Sequence, residues 1–391
     1  MREAYIMCGF RTPVGKAKKG GLRSVRSDDL ASLVIQRILK EFPQLEPSWI
    51  DDLLVGNAVP EAEQGMQMGR LISLLALSEE VPGMLINRYC GSGLEAIHLA
   101  TARIRAGTAD CIIAGGTESM SMVPMMGYTP AINPTLVQAH PDYFINMGLT
   151  AEEVATAHGI SREDSDNFSL SSHQKAIQAQ KTHGFEGEMI PVEVEEETWT
   201  QEKGRQLHSF KVDKDEGPRS DTHLESLSQL KPVFKKGGQV TAGNSSQTSD
   251  GAAFLLVVSE KFVKRLGPKP LGRMVSYAVA GVPPRIMGIG PVNAIPKALK
   301  QANLRLPDIE QIELNEAFAC QALAVIKALD ISPELVNVNG GAVALGHPLG
   351  CTGAKLTVQL LHEMTRRKQR YGMVTACVGG GQGVAGIFER F

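Results

Sequence analysis

The strongest constraint on this chain is that the same order of elements is written in it twice, at an offset of about 260 residues. In the first pass, apolar runs and turn signals predict strands over 4–9, 50–56, 81–89 and 109–115. Between them, a helix begins at Ser27 as N-cap, carries Leu30, Leu33, Val34 and Ile38 on one face and stops before Pro43; a second covers 94–106 with Gly107 past its end. In the second pass, strands are predicted over 272–280, 309–314, 336–339 and 371–379. The helices there cover 292–302, with Pro296 in the first turn, then 316–329 and 352–364. A duplicated βα unit of this size implies an α/β fold in which sheets sandwich helices. The basic residues Arg11, Lys16, Lys18, Lys19, Arg23 and Arg26 read as a solvated loop with no ligand.

The texture changes between the passes. Residues 121–243 contain a capped polar helix opening at Ser161-x-x-Asp164 and a hydrophilic stretch over 193–223. This is an excursion inserted in the first half, which resumes with a strand over 254–258. The expected organisation is therefore 1–120 with 244–270 as the N-terminal core half, 121–243 as an inserted loop domain, and 271–391 as the C-terminal core half.

Global charge excludes several classes of partner. Lys and Arg number 40 against 42 Asp and Glu, a net charge of −2, which gives neither nucleic acid nor an anionic membrane anything to attract. No apolar run is long enough to span a bilayer, and the first residues are too briefly apolar for a secretion signal. Six cysteines are scattered without a C-x-x-C pair, so no metal site and no disulfide scaffold is expected, and the compartment reads as cytoplasm.

Four stretches carry chemistry. Cys90 ends a predicted strand and precedes Gly91-Ser92-Gly93 and a helix, where the macrodipole favours thiolate; buried filler is the plain alternative. Cys377 precedes Val378 and the run Gly379-Gly380-Gly381, which exposes backbone N–H groups as an oxyanion turn requires, although strand cysteines are often just buried. His347 lies in the Gly/Ala-rich Gly346-His347-Pro348, either a satisfied core histidine or the base for a thiol. Asn315 heads Asn315-Glu316-Ala317-Phe318, as a helix N-cap or as an amide that holds a water or a carbonyl oxygen. Gly381-x-Gly383-x-x-Gly386 imitates a dinucleotide fingerprint but opens no helix and is set aside.

Together, Cys90-Gly91-Ser92, Asn315-Glu316-Ala317-Phe318, Gly346-His347-Pro348 and Cys377-Val378-Gly379 resemble the four active-site loops of the thiolase superfamily, in order and spacing. Gly115-Gly116-Thr117-Glu118-Ser119-Met120 and Thr241-Ala242-Gly243-Asn244-Ser245-Ser246 extend the likeness to the whole chain. The resemblance implies a duplicated α/β/α/β/α five-layer fold with an inserted loop domain, in a homodimer or homotetramer. It implies thiolytic cleavage of 3-ketoacyl-CoA, with coenzyme A as substrate and no cofactor. Cys90 would be the nucleophile, His347 its base and Cys377 the general acid. Asn315, through a water, and His347 would form one oxyanion hole, Gly379 and Cys90 another.

By the same resemblance, CoA would contact Arg219 and Ser226 at its nucleotide end, and Phe234, Ala242, Gly243 and Ser246 along its pantetheine. Met147 and Met287 would stand near the reactive end. Asn146 departs from the histidine of several biosynthetic relatives, which favours the degradative branch acting on 3-ketoacyl-CoA in β-oxidation. An acetoacetyl-CoA-specific acetyltransferase is the first alternative and a non-catalytic CoA or lipid carrier the second. Met120, Met122, Met125 and Met126 cluster where an acyl chain could lie, or fill gaps.

Overall fold

Runs that are apolar on both faces, such as Cys111–Ser119 and Ser249–Ser259, are buried along their whole length and form the interior of a six-stranded sheet. The computed structural model describes residues 2–200 and 204–391. Across the first sheet, Ala4–Arg11 pairs antiparallel with Ser249–Ser259, and that strand pairs antiparallel with Cys111–Ser119. The order then continues in parallel through Asp52–Gly56 to Gly83–Ile86. Across the second sheet, Arg273–Gly281 pairs antiparallel with Gln382–Glu389, which pairs antiparallel with Tyr371–Val378, followed in parallel by Gln311–Leu314. Order and direction repeat, as a duplication requires.

Helices complete five layers. Ser27–Glu41 and Met68–Ala76 cover the outer face of the first sheet. Ser92–Arg105 and Leu349–Arg367 lie between the sheets in a shared apolar core with Leu94, Ile97, Leu356 and Leu360. Gly290–Ala302 and Ala319–Ala328 cover the second sheet. The predicted α/β/α/β/α arrangement is the one observed.

The two central helices cross where neither has a side chain. A Cβ on Gly93 would lie 2.7 Å from the Ala354 nitrogen, and one on Gly353 would lie 2.4 Å from the Leu94 nitrogen. Those separations are far inside van der Waals contact, so glycine is required on both helices. The crossing brings the two helix N-termini together, and with them the loops that carry Cys90 and His347.

Several expectations are corrected. Arg11 is not in a solvated loop: it ends the first strand, is fully buried, and forks onto Asp215 at 2.8 and 3.0 Å while its Nε meets Glu188 at 2.7 Å. The strand 4–9 therefore runs on to Arg11, because these two carboxylates neutralise the guanidinium inside the protein. Ser27 is not an N-cap; its hydroxyl faces Met68 Sδ at 3.3 Å, joining the two outer helices. Pro296 lies in the body of its helix, and Pro291 takes the first turn.

The helix expected from Glu316 starts at Ala319, because Glu316 is held by Ser172, Asn337 and the Val343 N–H. The strand expected over 336–339 shrinks to one bridge between Ile312 and Val336, since Asn337 turns left-handed with φ 46°.

The hydrophilic stretch over 193–223, of which 201–203 lie outside the described residues, begins with an antiparallel pair, Val192–Thr200 with Gly204–Val212. The capping box at Ser161 and Asp164 opens the helix Arg162–Lys181. The glycine motif at Gly381 belongs to the antiparallel strand Gln382–Glu389 and opens no helix.

Candidate active site

The four motif loops converge at one edge of the central layer. Cys90 sits in the short helical turn Tyr89–Gly91, between the strand Gly83–Ile86 and the helix Ser92–Arg105. Tyr89 is left-handed, with φ 42°, and this sharp reversal places the thiol at the loop's apex. The Ser92 hydroxyl fixes the turn, donating to the Tyr89 carbonyl at 2.6 Å and accepting the Arg88 N–H at 2.9 Å.

The backbone N–H of Gly379 and that of Cys90 itself both point at the Cys90 sulfur, yet its pKa is pushed up to about 11 because burial outweighs them. The helix terminus alone does not make a thiolate, contrary to the expectation from sequence. The thiol needs a base.

His347 is the candidate. It is buried, in the loop between Gly346 (φ 96°) and the helix Leu349–Arg367, and its N–H is tied to the Gln247 carbonyl at 3.0 Å. The ring nitrogens meet Thr352 Oγ1 at 2.6 Å through Nδ1 and Asn315 Nδ2 at 3.3 Å through Nε2. Burial, and secondarily the nearby charge of Lys355, pull its pKa down to about 3, so the imidazole is neutral at physiological pH.

Asn315 follows the strand Gln311–Leu314 directly and donates its own N–H to the Thr375 carbonyl at 2.9 Å. It caps no helix, since the next one begins at Ala319 with Phe318 at its N-cap. Its Oδ1 is buried without a partner. An amide oxygen left unpaired at this depth costs ~1–3 kcal/mol. Cys377, fully buried near the end of Tyr371–Val378, has its thiol pushed up by burial and by the charge Cys90 would carry. The two sulfurs are thus close enough for ionisation of one to oppose the other.

The predicted CoA contacts divide between two places. Arg219, Ser226, Ala242 and Gly243 line a cleft of about 400 Å³, with His173, Leu227, Leu230 and Gln247. Gln247 joins the cleft to the site, because its carbonyl holds His347. Met147, Phe234 and Met287 line instead the apolar cluster around Cys377 and Phe318, where the Phe234 and Phe318 rings meet edge to face at 6.2 Å. Ser246 donates its N–H to the Ala317 carbonyl at 3.0 Å, bracing the Asn315 loop. Asn146 caps the helix Met147–His158, its Oδ1 accepting from Gly148 and Leu149. A wider depression of about 540 Å³ between Gly159, Phe168 and Lys327 holds none of these residues.

Residues the sequence did not single out complete the frame. Buried Glu118 accepts from the N–H groups of Ala58 and Gly350, each at 2.8 Å, and from Asn57 and Gln64. It locks the end of the strand Cys111–Ser119 to the first turn of the helix that follows His347. Glu118 and Glu316 stand inside the recognised motifs, which was their only signal. Thr352 had none, because the helix start at Leu349 is what brings it beneath the ring.

With this geometry in place, the comparisons are unambiguous. The family description "Thiolase, N-terminal domain" matches residues 4–261, and "Thiolase, C-terminal domain" matches residues 268–390. The chain is 52% identical to the 3-ketoacyl-CoA thiolase of Bacillus subtilis (strain 168) over 390 residues, covering 100% of both chains. It is 44% identical to the peroxisomal 3-ketoacyl-CoA thiolase A of Mus musculus, over 99% of this chain and 91% of that one. Among solved structures, the Bacillus anthracis acetyl-CoA acetyltransferase superposes with a TM-score of 0.88 at 38% identity, over 100% of this chain and 99% of that one. Human mitochondrial 3-ketoacyl-CoA thiolase superposes with a TM-score of 0.88 at 39% identity and the same coverage. Duplicated sheets, four convergent loops and full-length similarity lead to one conclusion: this chain belongs to the thiolase family.

Proposed function

We propose that the protein is a 3-ketoacyl-CoA thiolase of fatty acid degradation, in which CoA cleaves a 3-ketoacyl-CoA to acetyl-CoA and a shortened acyl-CoA through an acyl-Cys90 intermediate. One observation carries the reading. The Gly379 N–H faces the Cys90 sulfur from the end of the strand that bears Cys377, and the neutral His347 ring meets the Asn315 amide at 3.3 Å.

The chemistry follows from that arrangement. Cys90 gives its proton to His347 Nε2 and the thiolate attacks the C3 carbonyl. The C2–C3 bond breaks, its electron pair stays on C2 as the acetyl-CoA enolate, and Cys377 delivers a proton to C2. His347 and the Asn315 amide serve the enolate oxygen. The N–H groups of Cys90 and Gly379 serve the oxygen of the tetrahedral adducts, at about 3 kcal/mol of barrier per donor. The Cys377 thiolate then takes the proton of an incoming CoA thiol, whose sulfur attacks the acyl-Cys90 carbonyl; the adduct collapses to acyl-CoA, and Cys90 leaves as thiolate and recovers the proton held on His347. Kinetics are ping-pong.

Incubation with acetyl-CoA followed by mass spectrometry tests this. An acetyl group on the Cys90 peptide, absent in Cys90→Ser, is expected; no adduct, or one elsewhere, favours the carrier reading. The restricted acetoacetyl-CoA reading is separated by kcat/KM across chain lengths, since activity confined to four carbons would establish it. The family's assemblies support a homodimer or homotetramer, and six free thiols support a reducing cytoplasm.

A further inference from the structure

The two N–H groups that serve the tetrahedral adducts come from opposite halves of the chain. In the function proposed above, on which this inference rests, the N–H groups of Cys90 and Gly379 bind one oxygen, and in the structure both face the Cys90 sulfur. Cys90 lies on the turn Tyr89–Gly91, whereas Gly379 opens a three-residue hairpin loop. Val378 pairs with Gln382 across that loop, and Gly380 and Gly381 within it are left-handed, with φ 80° and 86°. A tight loop of this kind sets its own shape. It does not set its distance from a turn in the other half.

One side chain spans that gap. Arg88, at the N-cap of the Cys90 turn, donates from Nη1 to Gln382 Oε1 at 2.8 Å, across 294 positions of sequence. Gln382 is the residue that closes the glycine loop. Among the described residues, this is the one side-chain hydrogen bond between the two loops. We propose that Arg88 is a positioning residue which, through Gln382, holds the Gly379 N–H at the spacing from the Cys90 N–H that a shared oxyanion requires.

The anchor is itself fixed. Arg88 Nε donates to Glu95 Oε2 at 2.6 Å, in the first turn of Ser92–Arg105, and the Tyr277 hydroxyl donates to the same oxygen at 2.6 Å. Glu95 and Tyr277 are each 8% exposed, so water competes little for these bonds. Tyr277 belongs to the strand Arg273–Gly281, which pairs with Gln382–Glu389. The guanidinium therefore grips the second half twice, directly through Gln382 and by way of Glu95, which the single nitrogen of a lysine would not reproduce. The glycine loop has a further tie, since the Gly381 carbonyl accepts the Val282 N–H at 2.8 Å. The contact between turn and hairpin is close as well: a Cβ on Gly91 would lie 3.1 Å from Val384 Cγ1 and 3.2 Å from Val378 Cγ2.

The test compares two reactions of Cys90. Acetylation by acetyl-CoA, followed by rapid quenching and mass spectrometry, needs the oxyanion donors; alkylation by iodoacetamide across pH needs the thiol alone. Gln382→Met removes the bond and leaves Arg88 on Glu95. Acetylation should slow roughly 10–100-fold in this variant, while the alkylation rate and its pH profile stay as in the unsubstituted protein. Gln382→Glu, whose carboxylate still accepts from Arg88, should acetylate at close to the unsubstituted rate. In an Arg88→Met background, Gln382→Met should cause no further loss, because the bond is already gone. A normal acetylation rate in folded Gln382→Met overturns the inference alone. Equal slowing of both reactions also overturns it, since that is a general loosening of the Cys90 turn, and so do losses that multiply in the double variant. Should Gln382→Met fail to fold, Arg88→Met carries the same paired comparison. Absence of acetylation in the unsubstituted protein overturns the proposed function, and this inference with it.

Discussion

With the Thr352 hydroxyl donating to the Pro348 carbonyl at 3.0 Å, its oxygen stands 2.6 Å from His347 Nδ1, placed to accept from it. In that arrangement Nδ1 carries the imidazole proton and Nε2 keeps the lone pair, which the Asn315 amide N–H meets at 3.3 Å. A threonine beneath the ring thus decides which nitrogen is free to act as the proposed base. Thr352→Val is expected to lower kcat by about 10–100-fold with KM little changed, and Thr352→Ser to restore most of it. Steady-state kinetics on the three proteins checks this; a valine enzyme with normal kcat removes the tautomer argument.

The pH response of the free enzyme follows from two opposed shifts. His347 at about 3 and His173 at about 4 lie below an unfolded histidine. The unfolded chain therefore binds more protons between those values and about 6.5, and stability falls as pH drops through that window. Cys90 is raised from 9.0 to about 11, so the unfolded chain loses protons first and stability falls again as pH rises across that interval. The melting temperature should peak between the two windows. Iodoacetamide should alkylate Cys90 at a rate that keeps climbing above pH 9; a plateau near pH 7 would show a thiolate already present in the resting site.

The helix crossing makes a stability prediction. Gly353→Ala puts a methyl 2.4 Å from the Leu94 nitrogen, and backbone rather than a mobile side chain must give way. Overpacking of this kind costs ~1–3 kcal/mol, read as a lower denaturation midpoint at unchanged slope. Activity should drop further than stability alone requires, because the crossing sets the distance between the Cys90 and His347 loops. Gly237→Ala, where a Cβ meets nothing within 4 Å, is the control for a methyl added in open space, although its φ of 69° carries some strain.

The sequence was most legible where one local pattern decides the outcome. Strands apolar on both faces, the Ser161 capping box and the repeat of order all read correctly, because neighbours along the chain determine them. The four chemical loops were legible through residue identity, and the structure adds that Asn315 caps nothing. What stayed hidden depends on partners far away in sequence. Arg11 looks like any loop cation until Glu188 and Asp215 fold over it. Val336 looks like a strand until Asn337 turns left-handed. Likewise the helix terminus just after Cys90 suggests a low pKa, and only three-dimensional burial reverses that sign.

Cys377 sits fully buried among Phe318, Met287 and Ala324, in an environment that opposes a thiolate and so keeps the sulfur protonated until carbanion charge develops at C2. Serine is close in size but is far less acidic, and it neither protonates C2 nor accepts the CoA proton as readily. Cys377→Ser is therefore expected to lower kcat by roughly 10²–10⁴-fold, the usual worth of a positioned acid-base group, with KM moving much less. Acyl-Cys90 should still form in this variant to one group per chain, only slowly, whereas Cys90→Ser should form none. Quenched time courses with acetyl-CoA on both variants separate the two roles. If Cys377→Ser accumulates acyl-enzyme at the unsubstituted rate and also turns over normally, the second sulfur is packing and the proton comes from elsewhere.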